Sequence, residues 1–276
     1  MNDVSVITGT THGIGQVTSR ELARAGRTVV MLCRNVAAGQ RVRAQIAAQL
    51  PHAAVHVIHC DLASLASVRA SATSLRRDFG RVELLINNAG IVSATHRVSA
   101  DGFELTFATN HLGPFLLTAL LSDRLSENAR IVNVASKVHY RGRLDLCRIA
   151  DPRAPYSGMA AYAQSKLANV LHTFALARRL SGTLISANCL HPGVVATHLL
   201  PWWLRAIKPL ITRKIFDSER GARTSLYVAL SSEVAGQSGR YFDEHQQIQP
   251  AAPLANDPQL QEYLWQMSAR WAGVAA

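Results

Sequence analysis

The chain of 276 residues has no apolar run approaching the roughly 18 residues that a transmembrane helix needs. The first apolar run begins at Val4, which leaves no room for a signal peptide, and a cytoplasmic location is the expectation. Cysteine is scarce: four occur, at 33, 60, 147 and 189, and none forms a CxxC pair. Scattered thiols argue against a disulfide framework and for reduced side chains. Lysine is scarce as well, with four (137, 166, 208 and 214) among the 29 basic residues. The net charge of +11 favours anionic partners. The basic residues form no clustered tract and no recognition motif, so no nucleic-acid partner is expected. The chain also lacks repeats, low-complexity tracts and linkers that would divide it into domains.

What is present is alternation. Short β-branched runs predict strands at 4–8, 28–32, 54–59, 82–87, 130–135 and 184–190. Helical periodicity near 14–25, 36–49, 65–79, 101–125 and 161–180 predicts helices between them. This pattern implies right-handed βαβ crossovers and a parallel sheet covered on both faces. Asn256-Asp257-Pro258 reads as a helix cap with proline in the first turn, opening a closing helix over 259–271. The expected fold class is α/β: a single doubly wound, Rossmann-type domain spanning 1–276.

Such sheets bind ligands outside the carboxyl ends of their strands. The first βα turn reads TGTTHGIG, 8–15, with glycines at 9, 13 and 15 in place of the spacing GxGxxG. Glycine permits positive φ and close backbone approach, and amides at a helix start face an anion. Thr8, Gly9, His12, Gly13, Ile14 and Gly15 therefore form the expected pyrophosphate cradle. About twenty residues on, an NAD site normally carries a carboxylate for the ribose 2′-hydroxyl. Here that place reads Leu32-Cys33-Arg34-Asn35. An arginine attracts the 2′-phosphate of NADP, and a charge-assisted bond of about 1.5–3 kcal/mol corresponds to about ten- to hundredfold in preference. NADP(H) is the expected cofactor. His12 either assists when protonated or is a solvated turn residue.

The stretch AYAQSKLAN, 161–169, places Tyr162 and Lys166 four apart on one helix face. A free tyrosine, with a pKa of about 10, is ionised about once in a thousand at pH 7. A nearby ammonium or an oxidised nicotinamide stabilises the phenolate, and a tyrosine tuned in this way exchanges a proton with a substrate oxygen. NVASK supplies Ser136, a second hydroxyl for that oxygen, and TNHLGPFLLT supplies Asn110. Pro114 has no N–H for the carbonyl of Asn110, four residues back. Water is the natural partner of a carbonyl freed in this way, and would link Lys166 to solvent.

With these residues in place the chain resembles a short-chain dehydrogenase/reductase, in the branch similar to retinol dehydrogenases and their bacterial relatives. The resemblance runs nearly end to end: TGTTHGIG at 8–15, CRN at 33–35, DLASLASVR at 61–69, NNAG at 87–90, TNHLGPFLLT at 109–118, YAQSKLANVL at 162–171, HPGVVAT at 191–197 and SGRYF at 238–242. It implies a catalytic set of Asn110, Ser136, Tyr162 and Lys166. It implies that Arg34 and Asn35 face the adenosine end and that Asp61 and Leu62 line the adenine pocket. Asn88, Ala89 and Gly90 would border the adenosine ribose and the nicotinamide side. Pro192, Gly193, Val195 and Thr197 would hold the nicotinamide, and Lys166 its ribose hydroxyls. Ala135 stands where relatives often carry a second serine.

The same resemblance makes 194–217 a substrate-covering loop and helix. Within it HLLPWWLRAIKPLITRKIF, 198–216, mixes Leu and Trp with basic residues. It reads as a lid over a hydrophobic small-molecule substrate, or as a helix in peripheral contact with a membrane surface. His139 and Tyr140 either touch substrate or are solvated loop residues. His56 and His59 diverge along a strand, so no metal site is expected. The apolar stripes of 101–125 and 161–180 fit a homodimer or a monomer core, and a homodimer is the expectation. The leading activity is NADP-dependent interconversion of a hydrophobic alcohol and its carbonyl. Reduction of an activated C=C bond and a non-catalytic NADP-binding regulator are the alternatives.

Overall fold

The computed structural model describes residues 4–149, 151, 155–193 and 217–275. One eight-stranded sheet runs in the order β3-β2-β1-β4-β5-β6-β7-β8. Its strands are β1 (Val4–Thr8), β2 (Thr28–Cys33), β3 (Val55–His59), β4 (Val82–Asn87), β5 (Leu125–Val134), β6 (Ser186–Leu190), β7 (Tyr241–Phe242) and β8 (Ile248–Gln249). The first seven are parallel, and β8 runs antiparallel to β7. Thr8 pairs with Leu32, Cys33 with His59, Asn87 with Asn133, Val134 with Leu190 and Leu190 with Phe242. The carboxyl ends therefore line up along one edge, and the segments leaving them are neighbours in space.

The helices are α1 (Gly13–Arg24), α2 (Val36–Gln49), α3 (Leu65–Asp78), α4 (Leu105–Phe107), α5 (Gly113–Leu121), α6 (Gly158–Arg179), α7 (Ser218–Leu230) and α8 (Pro258–Ala272). Successive strand residues point to opposite faces, and a core lies on each. Ile7, Met31, Ile86 and Val132 pack under α1, α2 and α7 with Leu22, Ile46 and Val228. Val6, Val30, Leu85 and Ile131 pack under α3, α5 and α8 with Leu75, Phe115 and Ala269.

The helix expected over 101–125 divides. After α4 the backbone widens into a π turn, Ala108–Leu112, in which the Gly113 amide bonds the Ala108 carbonyl, before α5 begins with Pro114 in its first turn. A proline that gives no amide to the carbonyl four residues back favours such a local change of pitch. β5 starts at Leu125, five residues ahead of the expectation. Helix α7 and the two-residue strands β7 and β8 had no periodic signal strong enough to read. The closing helix is capped as expected, Asp257 accepting from the amides of Gln259 and Leu260.

Helix α8 lies against α6 and α5. Trp265 meets the rings of Phe115 at 5.1 Å and His172 at 5.6 Å, and the Arg179 guanidinium stacks 4.0 Å over Trp265. Helix α8 thus covers part of the apolar faces of α5 and α6. His111 and His172 are buried here, and His191 lies buried at the end of β6. Burial is the first cause holding all three below the ordinary histidine value, His172 and His191 at about 4. Their folded values lie below the unfolded value of about 6.5, so stability is fully present above pH 6.5 and is lost as pH falls toward 4. Each of the two near 4 costs roughly 3 kcal/mol over that window. Urea unfolding is expected to show a midpoint that declines as pH falls below 6.5; a flat profile from pH 7 down to pH 5 contradicts this.

Candidate active site

The glycine turn sits where β1 ends. Gly9 holds φ +71° with its amide on the Leu32 carbonyl at 3.1 Å. The Asn88 side chain donates to the carbonyls of Thr8 (2.9 Å) and Gly9 (3.1 Å), while the amides of Asn88 and Ala89 donate to the Thr8 hydroxyl, each at 3.0 Å. The β4 loop thus ties down the β1 turn. A Cβ at Gly15 would stand 2.2 Å from the Gly9 carbonyl oxygen and 2.5 Å from the Asn88 amide nitrogen.

Helices α2, α3, α6, α7 and α8 each open with a side-chain cap. At α1 the residue in that position is His12, exposed and extended, which makes no side-chain cap bond, and no acidic residue lies in the first turn. The buried Thr10 hydroxyl also has no hydrogen-bond partner. A close-packed glycine turn and a helix start without a side-chain cap fit a phosphate group.

Other residues singled out from the sequence lie on the same edge. Arg34 is exposed at the end of β2, and beside it Asn35 caps α2 by accepting the Ala38 amide at 2.9 Å. Asp61 accepts the Ala63 amide at 3.0 Å, and Leu62 is buried with its backbone against Gly113. Pro192 and Gly193 are buried just beyond β6. Val195, Thr197 and 198–216 lie outside the described residues. His56 and His59 are exposed on β3. Among the described residues no group of three His, Cys, Asp or Glu could hold a metal, and no helix is long and apolar enough to cross a membrane.

Asn110, Ser136, Tyr162 and Lys166 come from three elements and meet. Tyr162 and Lys166 share one face of α6, the ammonium 5.6 Å from the phenol ring centroid. The Lys166 ammonium, 2% exposed, donates to the Val134 carbonyl at 2.7 Å, at the end of β5. Asn110, inside the π turn, accepts the Ile91 amide at 2.8 Å and donates to the Ile91 carbonyl and the Ser165 hydroxyl, each at 3.0 Å. A Cβ at Gly90 would fall 3.3 Å from the Lys166 nitrogen and 3.6 Å from the Asn110 side-chain oxygen, so the β4 loop touches both. Below them the Asn87 amide donates to Asn133 at 2.8 Å, and Asn133 donates to Thr173 at 2.9 Å, joining β4, β5 and α6.

Burial brings Lys166 down to about 8, so it carries its proton through most of the population at pH 7. The Tyr162 phenol moves up from its ordinary value: burial raises it, against the pull of the Ser136 hydroxyl. The sequence pattern suggested a downward move from the nearby ammonium. The larger effect is desolvation of the phenolate, with the ammonium engaged on the Val134 carbonyl. A phenol kept protonated, beside a second hydroxyl, can donate to a carbonyl oxygen placed between them. Sequence reasoning did not find the partners that hold this set, namely Ser165, Ile91 and the Val134 carbonyl, because two of the three act through backbone groups.

Residues 3–204 match the short chain dehydrogenase family model. The chain belongs to the short-chain dehydrogenase family. This dehydrogenase is 39% identical to human retinol dehydrogenase 13 over 98% of its own length and 85% of the relative's. It is 40% identical to bovine dehydrogenase/reductase SDR family member 13, over 98% of its length and 73% of that protein. Among solved structures, a protein of Mycobacterium paratuberculosis superimposes with a TM-score of 0.81 at 34% identity, covering 99% of this chain and 94% of the other. A metagenomic blue fluorescent protein, solved in complex with NADPH, gives 0.71 at 25% identity, covering 87% of this chain and 95% of that one. As a family member the chain is an oxidoreductase with a nicotinamide cofactor, carried on the Rossmann fold described above.

Proposed function

We propose that this dehydrogenase uses NADP(H) to interconvert a hydrophobic alcohol and its carbonyl. The observation that carries the reading is the meeting of Tyr162, Ser136, Lys166 and Asn110 beside the glycine turn. The nicotinamide, when bound, supplies or accepts the hydride. Tyr162 gives its phenol proton to the substrate oxygen in reduction and takes it back in oxidation. Ser136 bonds the same oxygen and holds it in reach. Lys166, charged and buried, stabilises negative charge developing on the phenol. Asn110 fixes the π turn against α6 and the β4 loop, which keeps Lys166 in place. The resemblance to retinol dehydrogenases supports a lipophilic substrate.

Arg34, exposed at the end of a strand that offers no carboxylate there, supports NADP over NAD. Initial rates with NADPH and NADH against hydrophobic aldehydes, ketones and enones test the reading. NADPH is expected to be preferred, and Arg34→Ala to reduce that preference about ten- to hundredfold. Equal use of both nucleotides by the wild type would remove the NADP assignment. Turnover confined to enones, with loss of the C=C bond, would replace the carbonyl reading.

A further inference from the structure

Three residues beyond Ser136 the chain turns through a short 3₁₀ segment, Lys137–Arg141, and His139 within it is fully buried. Its Nδ1 lies 2.7 Å from the Ser136 carbonyl oxygen, and its Nε2 lies 3.1 Å from the Ala252 backbone nitrogen. The second contact settles the tautomer. An amide N–H donates, so Nε2 carries the lone pair, and the ring proton sits on Nδ1, donating to Ser136. The His139 amide bonds the same carbonyl at 3.0 Å. The ring packs between Tyr140 at 4.2 Å and Tyr241 of β7 at 4.7 Å. Tyr140 in turn donates its hydroxyl to the Pro250 carbonyl. One imidazole therefore ties the backbone of Ser136 to the segment that follows β8.

We propose that His139 is a positioning residue for Ser136: as a neutral imidazole clamped between the Ser136 carbonyl and the Ala252 amide, it sets where the serine hydroxyl meets the substrate oxygen. The inference rests on the functional reading above. Ser136 stands where β5 has ended and its backbone has left the sheet ladder, so its orientation needs an anchor. His139 supplies two bonds to that carbonyl and a rigid link to a distant part of the chain. A small misplacement of a positioning group lowers turnover far more than it lowers binding.

The test compares His139→Phe, which keeps the ring and loses both nitrogens, with His139→Asn, whose amide restores a donor near the Nδ1 position. Ser136→Ala and the Ser136→Ala/His139→Phe double variant complete the set. His139→Phe is expected to lower kcat about tenfold or more with little change in nucleotide KM, and His139→Asn to recover most of it. In the Ser136→Ala background, His139→Phe is expected to cost nothing further, because its effect passes through the serine. A loss as large in that background as in the wild type, or no rescue by Asn, overturns the proposal. If His139→Phe does not fold, His139→Gln replaces it, keeping an acceptor for Ala252 and withdrawing the donor from Ser136. Should the wild type turn over no carbonyl compound, the functional reading fails by itself. The clamp is then read from the Ser136 carbonyl ¹³C shift, which moves in the Phe (or Gln) variant and returns in Asn if His139 holds that group, and stays still if it does not.

Discussion

Tyr162→Phe is expected to leave a folded protein that binds nicotinamide nucleotide and has lost turnover, with kcat down by about 10²–10⁴-fold. The substitution removes one oxygen and leaves the ring under the Lys166 ammonium. The argument for a selective loss is one of placement. The phenol is the group that burial keeps protonated next to Ser136. Lys166 is committed to the Val134 carbonyl at 2.7 Å, and Asn110 to Ile91 and Ser165. Asn110 has both side-chain protons engaged and an amide is no acid, while the bond to Val134 anchors the Lys166 ammonium at the end of β5. Steady-state rates and a nucleotide titration check the outcome. kcat and kcat/KM falling together, with nucleotide affinity kept, mark an interaction made only in the transition state. Retention of more than a tenth of wild-type turnover would mean that the phenol is not the proton carrier.

Gly15→Ala is expected to damage folding and nucleotide binding together. Alanine inside a helix ordinarily gains about 0.5–1 kcal/mol over glycine. Here the new Cβ would lie 2.2 Å from the Gly9 carbonyl oxygen and 2.5 Å from the Asn88 side-chain nitrogen. The oxygen belongs to the backbone of the turn itself, and Asn88 holds that turn by two bonds, so neither can withdraw alone. Overpacking of this kind costs about 1–3 kcal/mol, more than the helix gains, and the net change is destabilising. The relief available is for the β1 turn to move off α1, which spoils the phosphate cradle. Urea unfolding should show the lower stability, and the nucleotide Kd should rise about tenfold or more, about 1.4 kcal/mol. A variant as stable as wild type with unchanged Kd would show that the turn is far more compliant than its contacts imply.

Much of this architecture could be read from local pattern. The apolar β-branched runs that became β1 to β4 and β6 are long enough for strand periodicity to show, and the cap at Asp257 is a property of a few consecutive residues. The disturbance at Pro114 was also legible, since a missing amide is covalent chemistry. Its form, a π turn centred on Asn110, was not, because the pitch of a helix also depends on what packs against it. β7 and β8, two residues each, carry no period at all. The apolar stripes on α5 and α6 gave no sign that Trp265 would pack on part of them.

Local pattern was enough for the order of elements, the glycine turn at the first crossover, the arginine in place of a carboxylate after β2, and the residue types available for proton transfer. The rest came from long-range packing. It turned His139 from a loop residue into a buried clamp on Ser136, set Lys166 on the end of β5, and reversed the expected direction of the Tyr162 pKa. These outcomes depend on burial and on contacts between residues far apart in the chain, such as Ser136 with Ala252 through His139. Desolvation and hydrogen-bond geometry arise only once the crossovers have brought those segments together.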